Sequence, residues 1–414
     1  MAAGPSSISV EEHLESILSE IEPLPARSIG LDRVVGRMLA EDVTARVDIP
    51  SFDNSSMDGY AVRREDLLSA TTDHPVVLPV IADLAAGTAQ NPQIESGTVA
   101  RIMTGAPIPD GADAVVPIED TDRGTGRVAI WQTPAGGAHI RRVGGDAHTG
   151  DLVLHSGVRL TARHIAAAAA SGRDSLVVRP APRVGILSTG SELVAPGEAL
   201  RRGQIHDSNS YLLAAAVAEA GGEPVRLDSV PDDESRLREV LADHADDVDA
   251  FLLSGGVSVG AYDVVKAVLS ALGTVRFRSI RMQPGKPQAF GRWSDGTPIF
   301  ALPGNPVSAF VSFEVFVRPA LRKLQGYLEL QRPTQDAIAI TGWASPSGRR
   351  QYMPVTVQPA LPHESVPRVQ PASAGGSGSH LVAGLATADA LAVIDEGVER
   401  VRAGETVTVM LVES

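Results

Sequence analysis

Three observations predict a multidomain α/β-plus-β protein. Between residues 180 and 325, short apolar strands alternate with amphipathic helices, the pattern of a doubly wound, mostly parallel sheet covered on both faces. The stretches on either side consist of short apolar runs broken by Gly, Pro and Asp turns, which predicts β-rich units. A chain of 414 residues that is 43% hydrophobic has enough apolar material for roughly two to four cored domains.

Taken in order, Ser9-Val10-Glu11-Glu12 reads as a capping box. Val10, Leu14, Ile17, Leu18 and Ile21 then share one helical face until Pro23 and Pro25 end it. From Val47 to about Ile140, runs such as Val76-Val77-Leu78 and Ala114-Val115-Val116 are separated by turns, and Arg163 to Gly172 is a short Ala-rich helix. We read 47–140 as an inserted β-rich domain carried by a linking helical domain made of 1–46 and 141–179. In the α/β domain, 180–325, the expected strands are Val184–Leu187, Val225–Leu227, Ala250–Leu253, Val275–Phe277, Ala289–Phe290 and Ile299–Leu302. The expected helices are about Ser210–Ala220, Asp233–His244, Asp263–Leu272 and Pro306–Leu324. Gly221-Gly222 stops the first of these helices, and Asp295-Gly296 turns a hairpin between the last two strands. Residues 330–414 return to short strands, ending in the near-alternating Thr406-Val407-Thr408-Val409-Met410-Leu411. A small β-barrel fits this stretch, a sandwich being the other solution, and the Gly/Ser-rich Ala372–Ser379 is a loop.

Composition excludes several classes. The formal net charge is −14 with no long basic run to offset it, which argues against a nucleic-acid binder or a protein held on anionic lipid. Cysteine is absent, so disulfides, cysteine-ligated zinc and thiol nucleophiles are excluded. The apolar run Ala166–Ala170 is far shorter than the ~20 residues of a membrane span. Met1–Val10 lacks the basic start and apolar core of a signal peptide. A soluble, cytoplasmic protein is the expectation. Only three of the 36 basic residues are lysines, Lys266, Lys286 and Lys323, so a lysine in a loop asks for a reason.

In an open α/β sheet, ligands bind beyond the carboxyl ends of the strands. Three Gly-containing loops leave that edge: Ser188-Thr189-Gly190-Ser191-Glu192, the run from Ser254-Gly255-Gly256 through Ser258 to Gly260 and Asp263, and Leu302-Pro303-Gly304-Asn305-Pro306. Any one alone is either an ordinary βα turn or an anion loop. Together they suit an anion, because glycine lets a phosphate approach the backbone and helix-start amides face it. Asp207-Ser208-Asn209 enters a helix, so Asp207 is either a helix-entry residue or part of the same edge. Lys286 lies in Pro284-Gly285-Lys286-Pro287, whose stiff prolines fix its direction, and a compact ammonium suits a phosphate. Lys266, on the helix after Asp263, is either a second phosphate contact or simply solvated. Glu192, Asp207 and Asp263 would repel a phosphate unless a cation sat between them. Magnesium, held by one or two carboxylates plus phosphate oxygens and water, resolves the conflict. In the N-terminal half, Pro50 to Ala61 carries Phe52, Met57 and Tyr60 as apolar anchors in a polar loop. Arg101 to Pro107 is similar, and Arg141-Arg142 is either a solvated pair or an anion contact.

Six motifs occur in order: Asn54-Ser55-Ser56-Met57-Asp58-Gly59-Tyr60-Ala61, Met103-Thr104-Gly105-Ala106-Pro107, Ser188-Thr189-Gly190, Ser254 to Gly260 with Asp263, Pro284-Gly285-Lys286-Pro287, and Leu302-Pro303-Gly304-Asn305-Pro306-Val307-Ser308. With them the chain resembles the molybdopterin molybdenumtransferases, relatives of the gephyrin E domain, from its first helix to its C-terminus. The resemblance implies an elongated homodimer of four-part subunits with an active site built from two chains. It implies a reaction in which molybdate and adenylylated molybdopterin yield molybdenum cofactor and AMP with magnesium assistance, and a transient contact with the molybdopterin adenylyltransferase. By motif position it implies that Glu192, Asp207, Asp263 and Lys286 form the pterin-nucleotide and metal site. Asp58, Thr104 and Arg141 would come from the other subunit, and Ser377 from the C-terminal domain. Ser191 stands where many relatives carry an acid, His139 where Asn is usual, and Pro354 where Arg is frequent. A molybdopterin adenylyltransferase, which resembles 180–325 alone, and a non-catalytic gephyrin-like scaffold are the alternatives.

Overall fold

The computed structural model describes residues 7–256, 264–362 and 364–412. The chain divides into two compact units, Ser28–Val178 and the remainder, Met1–Arg27 with Arg179–Ser414.

The larger unit is built on a six-stranded sheet. Its spatial order is Glu223–Arg226, Arg183–Ser188, Ala250–Ser254, Pro298–Leu302, Pro287–Arg292 and Arg276–Ser279. The first four strands are parallel, and Pro287–Arg292 runs against both of its neighbours. Alternate side chains enter two separate cores. Val184, Ile186, Leu252, Phe300 and Leu302 pack under the helices Asn209–Glu219 and Pro306–Ser312 on one face. Leu187, Phe251, Leu253, Ile299 and Ala301 pack under Glu234–His244 and Val264–Ala271 on the other. This is the period-two burial expected of a doubly covered sheet.

Chain termini of these elements behave as their residues dictate. Ser9 and Glu12 exchange both bonds of the capping box. Gly222 N–H reaches back to Val217 O at 2.9 Å and ends its helix. Trp293 N–H donates to Thr297 O at 2.8 Å across the Asp295-Gly296 turn. The helix Val10–Leu18 buries Val10, Leu14 and Ile17 in the first core of this α/β sheet. The long helix expected over Pro306–Leu324 contains a π turn, Phe313–Val317. Pro319, just beyond it, has no N–H and crowds the carbonyl four residues back. The wider turn accommodates that, and Arg318 N–H bonds Phe313 O.

Five C-terminal strands, Thr334–Ala339, Arg350–Gln358, Arg368–Pro371, Ala390–Ile394 and Thr406–Leu411, close into a barrel, because Arg350–Gln358 pairs with both Arg368–Pro371 and Ala390–Ile394. The strand Met282–Gln283 of the α/β domain adds parallel to Arg350-Gln351 and ties the barrel to the sheet.

Unit Ser28–Val178 holds a five-stranded sheet, in order Ala114–Pro117, Gly59–Val62, Val99–Ile102, Val76–Leu84 and Arg127–Ile130. Apolar clusters fill both of its faces, Tyr60, Val62 and Val116 on one and Ala61, Ala100 and Ile102 on the other. A third cluster joins Val34, Leu39 and Val43 to Leu154, Ala168 and Val178, so the segments before and after the sheet share one core.

Candidate functional site

The chain order of the parallel strands places a switch point between Arg183–Ser188 and Ala250–Ser254. The strand that follows Arg183–Ser188 lies on one side of it, and the next lies on the other. Crevices open beyond the carboxyl ends of strands at such a point. A cleft of about 1240 Å³ lies there, and its walls come from the α/β domain and the loop after Pro371 of the barrel.

The walls are fastened from within. Ser188 and Ser254 are register partners at the two strand ends. Their hydroxyls lie 3.1 Å apart, and Ser188 Oγ donates to Asp207 Oδ1 at 3.1 Å. The same Asp207 oxygen accepts from Ser210 N–H at 3.0 Å, so Asp207 is a helix-entry residue and a cleft residue at once. Gly255 has φ +95, and a Cβ there would lie 2.9 Å from Thr189 O, so only glycine lets the first two loops approach. Asn209 Nδ2 donates to Gly304 O at 2.6 Å, drawing in the third loop. Asn305 Nδ2 donates to Ser379 Oγ at 2.9 Å and links that loop to the barrel.

Lys286 is exposed in its loop. The loop itself is rigid: buried Gln288 donates through Nε2 to Gly285 O at 2.7 Å and to Ser312 Oγ at 2.6 Å. Gly285 has φ +101, and a Cβ there would meet Ser312 Oγ at 2.8 Å.

Ser188, Thr189, Gly190, Glu192, Asp207, Gly255, Gly256, Lys286, Pro303, Gly304, Asn305 and Ser377 all line this cleft. Lys266 does not; it stands on the exposed side of Val264–Ala271. Ser258 and Asp263 lie outside the described residues. Lys323, the third lysine, donates to Leu18 O at 2.8 Å and closes the end of the first helix.

Two charged cleft residues, Asp232 and Arg349, were missed by sequence reasoning. Asp232 sits beside Ser191, whose hydroxyl donates to Asp232 Oδ2 at 3.0 Å while Asp232 N–H returns a bond to Ser191 Oγ at 3.2 Å. A carboxylate therefore stands next to the position where Ser191 lacks one, delivered from a distant turn. Arg349 brings a guanidinium from the turn before a barrel strand. The Ser191 departure could have prompted a search for Asp232; nothing in the sequence marks Arg349.

Among the described residues no three His, Cys, Asp or Glu side chains form a ready-made metal cage. Magnesium needs few protein carboxylates when phosphate and water supply the rest, and Glu192, Asp207 and Asp232 on one cleft suit that donor set.

Asp58, Thr104 and Arg141 belong to the other unit. Asp58 Oδ1 accepts from both the backbone N–H and the hydroxyl of Thr104, each at 2.7 Å. The Thr104 amide, and then its hydroxyl, hold the Asp58 carboxyl below the usual carboxylate range. Arg141 pairs in register with Asn54, on the strand four residues before Asp58. His139 has φ +57, a left-handed conformation in which His, like Asn and Asp, is enriched among non-glycine residues. Pro354 lies inside the barrel strand, in register with Leu391.

Fold and site together define a class: an α/β protein with an anion-suited, acid-lined cleft at its switch point, completed by a β-barrel loop, with a separate β-rich N-terminal unit. Comparison with known proteins agrees along the whole chain. Residues 8–172 match the family described as MoeA N-terminal region (domain I and II), 185–323 the probable molybdopterin binding domain, and 336–412 the MoeA C-terminal region (domain IV). Molybdopterin molybdenumtransferase 2 of Mycobacterium tuberculosis is 44% identical over 96% of this chain and 97% of its own. The molybdopterin molybdenumtransferase of Haemophilus influenzae is 35% identical over 97% and 98%. A crystal structure of the molybdopterin biosynthesis MoeA protein from Pyrococcus horikoshii superposes with a TM-score of 0.81 at 33% identity, covering 99% of this chain and 100% of that one. The chain belongs to the MoeA family, the molybdopterin molybdenumtransferases.

Proposed function

We propose that the protein inserts molybdenum into adenylylated molybdopterin, taking molybdate as substrate and releasing AMP. The observation that carries this reading is the meeting of Gly-rich loops, Lys286 and carboxylates on one switch-point cleft. Breaking a phosphoanhydride requires charge on phosphate oxygens to be neutralised as the bond opens. Lys286 and the Gly304 amide are suited to hold those oxygens, while the amides of Thr189, Gly190 and Gly255 are spent on the Ser254, Val230 and Leu302 carbonyls and hold the loops in place. Glu192, Asp207 and Asp263 are the residues we assign to magnesium, which when bound would supply further charge stabilisation at the leaving phosphate.

We further propose a cytoplasmic homodimer in which Asp58, Thr104 and Arg141 act on the cleft of the partner subunit. Arg141 and the Thr104 hydroxyl are donors of the kind that molybdate, a dianion, needs. The four-part division into 1–46 with 141–179, 47–140, 180–325 and 330–414 belongs to the same reading, although the first helix of 1–46 packs in the α/β core. So does a transient contact with the adenylyltransferase that supplies the substrate. A molybdopterin adenylyltransferase would leave the matches over 8–172 and 336–412 without a role.

The test is AMP release by the purified protein with magnesium, molybdate and adenylylated molybdopterin. We expect release that depends on molybdate. Release indifferent to molybdate would remove the insertion step, and tight pterin binding without release would favour a scaffold.

A further inference from the structure

We propose that Gln351 is a positioning residue that fixes the direction of the Ser377 hydroxyl, so that its proton is offered to an oxyanion in the cleft. The inference rests on the reading of the cleft as a site for molybdate and phosphate.

Three buried side chains form a directed chain. Trp343 Nε1–H donates to Gln351 Oε1 at 3.1 Å, and Gln351 Nε2 donates to Ser377 Oγ at 3.1 Å and to Ala344 O at 3.3 Å. Gln351 is 2% exposed, Trp343 and Ser377 each 8%, so the surroundings strengthen these bonds relative to bonds in open solvent. Chemistry sets the direction. An indole N–H can only donate, so it faces the amide oxygen and turns the NH2 group toward Ser377. Both amide hydrogens then have acceptors. Ser377 Oγ accepts, and its own proton is left to turn away from Gln351.

Ser377 stands at the border of two cavities. It lines the 1240 Å³ cleft and a second cavity of about 790 Å³ beside the barrel. Gln351 lines only the second. It therefore acts on the cleft through Ser377 rather than by contact. An unconstrained serine hydroxyl rotates to suit its neighbours. Here the rotor is biased in advance toward donation, which favours an anion without reorganisation when it binds.

Reversing the chain's polarity tests this. In Gln351→Glu the protonated acid can still accept from Trp343 and donate to Ser377, whereas the ionised carboxylate must take the Ser377 proton. The expected result is a KM for molybdate near wild type at the acid end of a pH series. It should rise roughly ten- to hundredfold as the new carboxylate ionises, with a smaller change in kcat, against a wild-type control at each pH. Ser377→Ala should show the higher KM at every pH, and adding Gln351→Glu to it should cost nothing more. Gln351→Met, which keeps the volume without a carboxylate, should give an intermediate KM. Circular dichroism and thermal unfolding check that each variant is folded.

Gln351 variants that follow wild type at every pH while Ser377→Ala is impaired would overturn the positioning role alone. So would a Gln351→Glu effect that persists undiminished in the Ser377→Ala background. Calorimetric titration with molybdate separates the two readings. Binding that depends on Gln351 and Ser377 in a protein releasing no AMP would support the positioning role and remove the catalytic one. A wild-type protein that neither binds molybdate nor releases AMP would overturn both.

Discussion

Lys286 and His13 show how differently two residues of similar chemistry are used. Lys286 is exposed, yet its loop is tied down by Gln288, so its charge is held at the cleft with little ordering left to pay for. Lys286→Ala should weaken binding of the pterin nucleotide about tenfold or more while leaving the unfolding midpoint within error, since no core contact is lost. An unchanged dissociation constant would remove Lys286 from the site. His13 is the opposite case. It packs edge-on against Phe316 with ring centroids 4.8 Å apart, and its Nδ1 has no partner. Burial first, then the charges of Arg278 and Arg276, push its pKa down to about 4. The unfolded chain therefore binds a proton from about pH 6.5 downward that the folded chain refuses until about 4. The neutral ring's contribution is complete above 6.5 and is lost as pH falls toward 4, up to roughly 3 kcal/mol. Urea denaturation midpoints between these pH values should fall for wild type and hold nearly level for His13→Leu. Asp42, Asp48, Asp53 and Asp58 are held below the usual carboxylate range by backbone N–H donors. Their contributions are complete well above 3.8 and are lost as pH falls below it, so most of the His13 effect comes first on acidification.

Among the elements, the long helix after Pro306 shows where pattern and geometry part. Its apolar face was legible from the sequence, but its π turn was not. The turn carries Glu314 into the core, where Arg332 Nε approaches Glu314 Oε2 at 2.7 Å and Arg318 Nε lies 3.9 Å away. Removing one member of a buried ionic group strands the others. Glu314→Gln should destabilise the protein by about 3–5 kcal/mol, read as a lower midpoint with an unchanged slope in chemical denaturation. A shift under 1 kcal/mol would mean that water reaches the cluster. The Gly255 loop makes a second case. Its strand and its helix were placed by apolar period alone. Its meeting with Thr189 depends on two strands that are neighbours only because the chain doubles back at the switch point. Gly255→Ala would face both a left-handed backbone and the Thr189 carbonyl. We expect slower AMP release with most of the stability retained, because the strain falls on a loop.

For the whole molecule, a net charge of −14 opposes the approach of two anionic substrates, so attraction has to be local, from Lys286, Arg349, the Gly304 amide and a bound cation. If the site is shared between subunits, two defective proteins can repair each other. Mixing Asp58→Asn with Lys286→Ala under conditions of subunit exchange should restore about a quarter of wild-type activity, since half the dimers are mixed and each regains one site. No recovery after verified exchange would place all of these residues in one subunit's site. Local pattern was enough to locate the strands and helices of 180–325, the alternating burial that demands two covers for one sheet, and the motif residues around the cleft. These follow from local period and from residue chemistry that neighbours along the chain make visible. Long-range packing alone brings the first helix to the α/β core, Asp232 beside Ser191, Arg349 to the cleft, and Trp343 to the Gln351 that faces Ser377. Each of these joins residues remote in sequence through an approach that chain topology sets, and no local pattern records it.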